Sequence, residues 1–233
     1  MRVNVYSDKF SGTLSAAEVL KVIKSVFKNF DIQANYFPVT DGGEHSTEIF
    51  KHFNMQTESV SMKKDFVGSW IPAEFLNING DVYFESASLI GVNKTSEHPF
   101  NLNTAALSQV IPEIDVLGLG GSKTVDGGIG LLSCLGIDFY AEEEIITNPK
   151  PKDFKDITAV KVNDSFSNLE LKVLTDTSTR LLGSNSAVAT YGPQKGLNKK
   201  EIKHLEEQLE RVFQIVSTEL NIPLDPFKKE TGA

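Results

Sequence analysis

The sequence predicts an α/β fold in which parallel strands alternate with helices. Residues 3–5 form a short apolar strand pattern, and an amphipathic helix pattern follows after a polar loop. The same order recurs, because a second strand pattern at residues 32–39 leads through a glycine turn into a helix pattern at residues 45–53. Such alternation is typical of parallel sheets whose functional loops gather at the carboxyl ends of the strands.

The first helix has a clear starting signal. Ser15 and Glu18 are three residues apart and match a capping box, in which each side chain accepts a hydrogen bond from a backbone N–H at the helix start. Apolar residues then recur at helical spacing: Val19, Leu20, Val22, Ile23, Val26 and Phe27. We therefore expect an amphipathic helix here, after the loop of residues 7–14.

The pattern changes near Asp65. Two strands are predicted at residues 70–76 and 82–85, joined across Asn79-Gly80, which is a strong hairpin signal. We place a domain boundary at this change, between residues 1–65 and residues 66–233.

The rest of the chain predicts two more strands and two more helices. Strands are expected at residues 116–119 and 171–174, with helices at residues 128–135 and 198–220. Asn198 and Glu201 suit the start of the last helix. One apolar stripe follows along it: Ile202, Leu205, Leu209, Val212, Phe213 and Val216. We expect this stripe to face the core, with the charges opposite it in solvent.

Composition excludes several classes of function. The 233 residues carry a net charge of −8, which disfavours nonspecific binding to nucleic acid. No apolar stretch is long enough to cross a bilayer, and the first residues turn polar too early for a signal peptide. We expect a cytoplasmic protein with no membrane partner. The single cysteine, Cys134, lies in an apolar run and is expected to be a small buried thiol.

A glycine-rich loop at residues 118–128 is the most informative segment. It follows the apolar pair Val116-Leu117 and combines glycines with a hydroxyl, a cation and a carboxylate. Backbone N–H groups in such a loop can approach an anion closely, so the segment predicts a phosphorylated ligand. Its spacing matches neither a Walker A loop nor a Rossmann fingerprint. The alternative is a tight strand-to-helix turn with no ligand.

Three other loops carry candidate chemistry. Asp41 and Glu44 flank two glycines, a spacing suited to Mg²⁺ or to orienting a hydroxyl nucleophile, although an ordinary Asp-Gly turn is the alternative. Asp8 begins a loop with a cation, hydroxyls and a glycine, which can also be a plain capped helix entry. Residues 191–196 predict a rigid turn that presents an amide and Lys195, a residue that is otherwise a solvated lysine.

Taken in order, these segments resemble the type I glycerate kinase family. Its members have an Asp-Ser/Lys-Phe-Lys-Gly opening, an Asp-Gly-Gly-Glu-Gly loop, a Gly-Leu-Gly-Gly-Ser loop and a Phe-Gly-Pro-Gln-Lys-Gly turn, and all four have counterparts here in register. The resemblance implies phosphorylation of glycerate by ATP with Mg²⁺. It also implies a flavodoxin-like α/β domain, here residues 1–65, interrupted by a second α/β domain, here residues 66–233, with the C-terminal return of the first domain missing.

Residue chemistry then suggests roles for the matching positions. Candidate catalytic residues are Asp41, Glu44, Asp176 and Lys195. Candidate nucleotide-binding residues are Asp8, Gly12, Gly120, Gly121, Ser122, Lys123, Thr124, Gly127, Gly128 and Gln194. Candidate Mg²⁺ ligands are Asp126 and Asp176.

The chain also departs from the family pattern. Ser11 stands where the family has lysine, His45 where it has glycine, and Lys123 where it has alanine. Lys123 or Arg180 can replace the lost charge. Thr179 and Arg180 stand in place of an Asn-Pro pair, and family members continue well past the last residue. These departures keep two alternatives open, a noncatalytic nucleotide- or metabolite-binding paralogue and an inactive fragment of a kinase. Exposed sheet edges would also be covered in a homodimer.

Overall fold

A computed structural model describes residues 2–10, 13–165, 169–228 and 232. Its strands form a two-stranded, a five-stranded and a three-stranded sheet, with helices between them. The predicted α/β class is confirmed. The proposed division at residue 65 stays a prediction, and two paired strands of the five-stranded sheet lie on either side of that residue.

The N-terminal region follows the predicted order of elements. Strand β1 (Arg2–Ser7) pairs in parallel with β2 (Gln33–Pro38), and α1 (Ala16–Lys28) connects them. Ser15 caps α1, since its hydroxyl accepts the Glu18 N–H while the Glu18 carboxylate accepts the Ser15 N–H. The predicted capping box is therefore present, and it fixes where the loop after β1 ends.

The five-stranded sheet is mixed and has the order β10-β6-β5-β4-β3. Its members are, in chain order, β3 (Gln56–Lys64), β4 (Trp70–Ile78), β5 (Asp81–Glu85), β6 (Val116–Gly118) and β10 (Lys172–Leu174). The predicted hairpin turn joins β4 to β5. Strands β5, β6 and β10 are parallel, so the loops after all three meet at one edge of the sheet.

Short helical elements connect the strands of this sheet. Helix α2 (Ser46–His52) lies between β2 and β3, and α3 (Ala87–Ile90) follows β5. Between α3 and β6 the chain forms four 3-10 turns, Val92–Lys94, Pro99–Asn101, Ala105–Gln109 and Ile111–Glu113. Apolar residues from α3 and these turns pack against the sheet and close one of its faces.

A second core lies around the third sheet. This sheet contains β7 (Ile137–Ala141), β8 (Glu144–Ile145) and β9 (Ala159–Val162), and a 3-10 helix (Pro151–Asp156) precedes β9. Helices α4 (Ile129–Cys134), α5 (Ala187–Lys195) and α6 (Lys199–Leu220) complete the region. The predicted stripe of α6 does face the core, since Leu205, Leu209, Val212 and Val216 are all buried. This region supports the end of the glycine-rich loop.

Two local predictions are wrong. Residues 191–196 do not form a turn, because α5 continues through Pro193 to Lys195 and ends at Gly196, which has a φ of 105°. Pro193 lacks the N–H that would bond inside the helix, but only two helical residues follow it. Cys134 is exposed rather than buried, because it lies at the open end of α4.

The described residues contain no helix with both the length and the apolar character that a bilayer crossing demands.

Candidate active site

The glycine-rich loop leaves the five-stranded sheet in contact with the loop after β2. A Cβ atom placed on Gly118 would lie 2.2 Å from the Gly42 carbonyl oxygen and 2.4 Å from the Tyr83 hydroxyl. The Tyr83 hydroxyl in turn donates to the Gly42 carbonyl at 3.1 Å. Only glycine therefore fits at residue 118, and its absent side chain lets the two loops meet.

The contact between these loops continues through three more glycines. A Cβ on Gly43 would lie 3.1 Å from Gly120 Cα, and one on Gly121 would lie 2.8 Å from Glu44 Cβ. Asn93 donates to Glu44 Oε1 at 3.1 Å and holds that side chain. The two glycine-containing loops predicted from sequence are thus packed directly against each other.

Neighbouring backbone fixes the glycine-rich loop from the other side. The Val92 N–H donates to the Gly121 carbonyl, and the Lys123 N–H donates to the Ile90 carbonyl, both at 2.7 Å. These bonds tie residues 121–123 to the segment after α3. The loop is therefore preorganised, which is what binding to a fixed set of phosphate oxygens requires.

Asp41 forms an ion pair with Lys9. Lys9 Nζ lies 2.9 Å from Asp41 Oδ2, and Asp41 Oδ1 accepts the Gly43 N–H at 2.9 Å. Burial raises the pKa of a carboxyl group, but the hydrogen bonds from Lys9 and Gly43 and the charge of Lys9 outweigh it and lower the pKa of Asp41. Asp41 is therefore a carboxylate at neutral pH, held in one orientation.

Glu85 holds the start of α2. Its two carboxylate oxygens accept the N–H groups of His45 and Thr47, each at 3.0 Å. His45 has a φ of 70°, a left-handed conformation that costs a residue with a side chain about 1 kcal/mol or more. Glu85 stabilises this conformation from β5, and so it fixes the position of Glu44.

Lys195 reaches the glycine-rich loop from the end of α5. Its Nζ donates to Ser122 Oγ at 3.2 Å and to the Thr124 carbonyl at 2.8 Å. Burial lowers the pKa of Lys195 to about 8, with Asp126 opposing and Lys123 adding to the decrease. Among the described residues its two acceptors are both neutral oxygens, and a charged oxygen of a ligand would be a stronger acceptor than either.

Asp126 belongs to the second half of this loop and is 1% exposed. Its Oδ2 accepts the N–H groups of Thr104 and Gly130 at 2.9 Å and the Thr104 hydroxyl at 2.8 Å. Its Oδ1 has no hydrogen-bond partner among the described residues. Burial is the largest influence and raises the pKa of Asp126. Asp126 therefore joins the glycine-rich loop to α4 and to the turn at Thr104.

The other site residues predicted from sequence differ in their exposure and in their contacts. Gly128 faces open space, whereas a Cβ on Gly127 would lie 3.1 Å from the Phe213 ring, so Gly127 serves packing. Asp176 and Gln194 are exposed, and Lys123 is half-buried. Asp8 accepts the Lys9 N–H at 2.6 Å. Gly12 lies outside the described residues.

Sequence reasoning assigned no role in the site to Lys9 or Glu85, although Glu85 matches the family pattern. Lys9 was noticed only as one cation in a polar loop, because its partner Asp41 lies 32 residues away. Glu85 closes a predicted strand, and its position just inside the carboxyl end of β5 was the available signal.

The loop and the end of α5 bring together hydrogen-bond donors of the kinds that bind anions. Phosphate oxygens accept hydrogen bonds from a lysine ammonium and a serine hydroxyl, and Lys195 Nζ and Ser122 Oγ lie 3.2 Å apart here. The described part of the chain has no cluster of three His, Cys, Asp or Glu side chains placed around one point. Mg²⁺ is usually held by one or two carboxylates together with substrate phosphates, so the finding does not bear on it.

Comparison with known proteins finds relatives that are glycerate kinases. The chain is 29% identical to a glycerate kinase of Halalkalibacterium halodurans, over 91% of this chain and 60% of the relative. It is 26% identical to the glycerate 2-kinase of Escherichia coli K12, over 95% of this chain and 63% of the relative. The chain thus spans about three fifths of the length of these curated relatives.

A solved structure has the same fold. The whole chain superimposes on 68% of a Salmonella typhimurium LT2 protein assigned as glycerate kinase 2, with a TM-score of 0.72 and 22% identity. The sequence model described as "Glycerate kinase family" matches residues 3–233. With that match over nearly its whole length, this chain belongs to the glycerate kinase family.

Proposed function

We propose that this chain is a kinase that transfers a phosphoryl group from ATP to glycerate. The observation that carries the proposal is the bond network of Lys195, whose ammonium binds Ser122 and Thr124 in the loop that packs against the Asp41 loop. A phosphate-binding group and a carboxylate able to orient a hydroxyl are thereby brought to one edge of the sheets.

In this proposal the glycine-rich loop and Lys195 bind the phosphates. Ser122 Oγ, the Lys195 ammonium and the N–H groups around Gly120 and Gly121 donate to phosphate oxygens, and Gly128 leaves room for their approach. Thr124, Lys123, Gln194 and Asp8 complete the nucleotide side. Lys195 then stabilises the negative charge that develops on the transferred group.

The acceptor lies on the other side, next to Asp41 and Glu44. Asp41 is ionised and fixed by two hydrogen bonds, so it can accept a hydrogen bond from the glycerate hydroxyl and direct it toward the phosphoryl group. Glu44 lies against Gly121, at the boundary between the two loops. It limits the space in which the hydroxyl can approach.

Asp176 is the candidate that best suits Mg²⁺. It is exposed and follows β10, whose Leu174 carbonyl accepts the Leu119 N–H at the start of the glycine-rich loop. Asp126 has one oxygen committed to three donors and is nearly inaccessible, so we assign it to holding the loop instead of the metal. When bound, ATP supplies the phosphoryl group and Mg²⁺ neutralises charge on its phosphates.

An assay of glycerate-dependent ADP release tests this proposal. Purified chain with ATP and Mg²⁺ should release ADP when glycerate is added and release little without it. Folded chain that releases no ADP would contradict the proposal. If that chain still binds ATP, the noncatalytic nucleotide-binding alternative is supported instead.

We further propose a cytoplasmic location, where ATP is available, and a homodimer, which size-exclusion chromatography with light scattering would test.

A further inference from the structure

Lys9 is a partly buried cation that the phosphoryl-transfer proposal leaves without a role. It follows β1, and its side chain is 14% exposed beside Asp41, which is 26% exposed. Both groups are thus accessible from the edge of the sheet where the candidate site lies. A surface lysine would keep most of its side chain in solvent, and this one does not.

The Lys9 ammonium has more hydrogen-bond donors than acceptors in the described part of the chain. An ammonium has three N–H donors, and among the described residues Asp41 is its single hydrogen-bond acceptor. Burial opposes the charged form, but the hydrogen bond to Asp41 and the charges of Asp41, Asp8 and Glu44 outweigh it and raise the pKa of Lys9. Lys9 therefore stays charged, and within the described part of the chain its other donors have no acceptor, so a ligand can supply one.

Lys9 also lies close to a position where the family pattern has a lysine that this chain lacks. Ser11 stands where the resemblance to the family predicts lysine, and Lys9 supplies a positive charge two residues earlier. Lys195 lies on the phosphate side and is occupied by Ser122 and Thr124. Lys9 is the cation in direct contact with Asp41, the carboxylate assigned to the acceptor hydroxyl.

We propose, on the basis of the kinase function above, that Lys9 binds the carboxylate of the acceptor and so selects short hydroxy acids. One ammonium donating to both Asp41 and the substrate carboxylate brings the two groups within a few ångströms of each other. A hydroxyl one or two carbons from that carboxylate then lies beside Asp41. Neutral alcohols lack this anchor, and longer hydroxy acids would place the hydroxyl beyond Asp41.

Calorimetric titration of the chain with two ligands tests this role without needing turnover. The ligands are glycerate and glyceramide, in which a neutral carboxamide replaces the carboxylate. The proteins are the wild type, Lys9→Met, Lys9→Arg and the control Lys21→Met, which removes an exposed lysine of α1. Lys9→Met should weaken glycerate binding by about 10- to 100-fold and change glyceramide binding little, because a hydrogen bond to a charged group is lost.

The Lys9→Arg and Lys21→Met variants show whether an effect on binding comes from the charge of Lys9. Lys9→Arg should retain most of the preference for glycerate over glyceramide, and Lys21→Met should bind both ligands like the wild type. Equal weakening of both ligands in Lys9→Met would overturn the proposal, because it indicates that Lys9 acts only by positioning Asp41. Unchanged glycerate binding in Lys9→Met would overturn it while leaving the kinase function standing. A wild type that neither binds glycerate nor releases ADP would contradict both.

Discussion

The two sides of the candidate site lie in regions that are packed very differently. The acceptor side rests on β1, β2 and α1, where β1 has no fully buried residue and the α1 residues Val22 and Val26 are 53% and 45% exposed. The phosphate side rests on the core around α6, where Leu209 and Val212 are 0% exposed. The two sides therefore depend on different amounts of buried apolar surface.

The same contrast predicts which substitutions change the stability of the chain and which change binding of the acceptor. Asp126 belongs to the glycine-rich loop and Lys195 is bonded to it, and this loop is tied to α3, α4 and α5, so the positions of both residues follow from the larger core. Lys9 and Asp41 are bonded mainly to each other across two parallel strands. We therefore expect changes in the core to act on the whole chain, and changes near β1 and β2 to act on acceptor binding.

The largest effect should come from Lys195→Ala. In the proposed mechanism this ammonium stabilises the charge of the transition state, so we expect kcat to fall about 1000-fold without it, which corresponds to about 4 kcal/mol. The ADP-release assay measures this, with Lys200→Ala as the control because Lys200 is an exposed lysine of α6. A kcat within a few-fold of the wild type would remove Lys195 from the mechanism.

The packing contrast is tested by Leu209→Ala and Val26→Ala. Leu209 is fully buried, so its truncation should reduce the free energy of unfolding by about 3 kcal/mol. Val26 is half-exposed, so its truncation should change that free energy by no more than about 0.5 kcal/mol. Urea unfolding measures both. Similar losses at the two positions would mean that the regions are equally well packed.

The contact between the two loops is tested by Gly118→Ala. Its new methyl would overlap the Gly42 carbonyl and the Tyr83 hydroxyl, so we expect a loss of about 2 kcal/mol in the free energy of unfolding. The control is Gly68→Ala, where no atom lies within 4 Å and only the φ of 88° opposes a side chain, at a cost of about 1 kcal/mol. If Gly118→Ala proves the milder change, the loops are not in close contact.

The pH dependence of kcat/KM for ATP should show the lowered pKa of the Lys195 ammonium. Lys195 has its pKa lowered to about 8, so it loses its proton as the pH rises through that value. In the proposed mechanism the charged form binds phosphate, so kcat/KM for ATP should fall about tenfold per pH unit above pH 8. Lys195→Arg should keep its charge and remove this decrease. An unchanged kcat/KM from pH 7 to pH 10 in the wild type would contradict the assignment.

Local sequence signals predicted much of the fold. The capping boxes at Ser15 and Asn198 and the Asn79-Gly80 turn all appear at the predicted positions, because their hydrogen bonds or backbone angles involve residues close in sequence. Strand β3 was missed because its residues are mostly polar and exposed, so no apolar alternation marks it. Helix α5 was not predicted, because it contains Gly192 and Pro193 and both residue types disfavour the interior of a helix.

The site was predictable only in part. The glycine-rich loop and the Asp41 loop were identified because their residue types are unusual in sequence. The ion pair of Lys9 with Asp41 and the bond from Lys195 to Ser122 span 32 and 73 residues, so only the folded chain brings these partners together. Contacts of this range depend on the strand order, which no local pattern specifies.

A crystal structure with a non-hydrolysable ATP analogue and Mg²⁺ tests the central claim most directly. The claim is that the glycine-rich loop and the end of α5 form one phosphate site beside Asp41. We predict phosphate oxygens within hydrogen-bonding distance of both Ser122 Oγ and Lys195 Nζ. A triphosphate bound elsewhere, for example in the groove between Arg180 and Asn185, would contradict the claim.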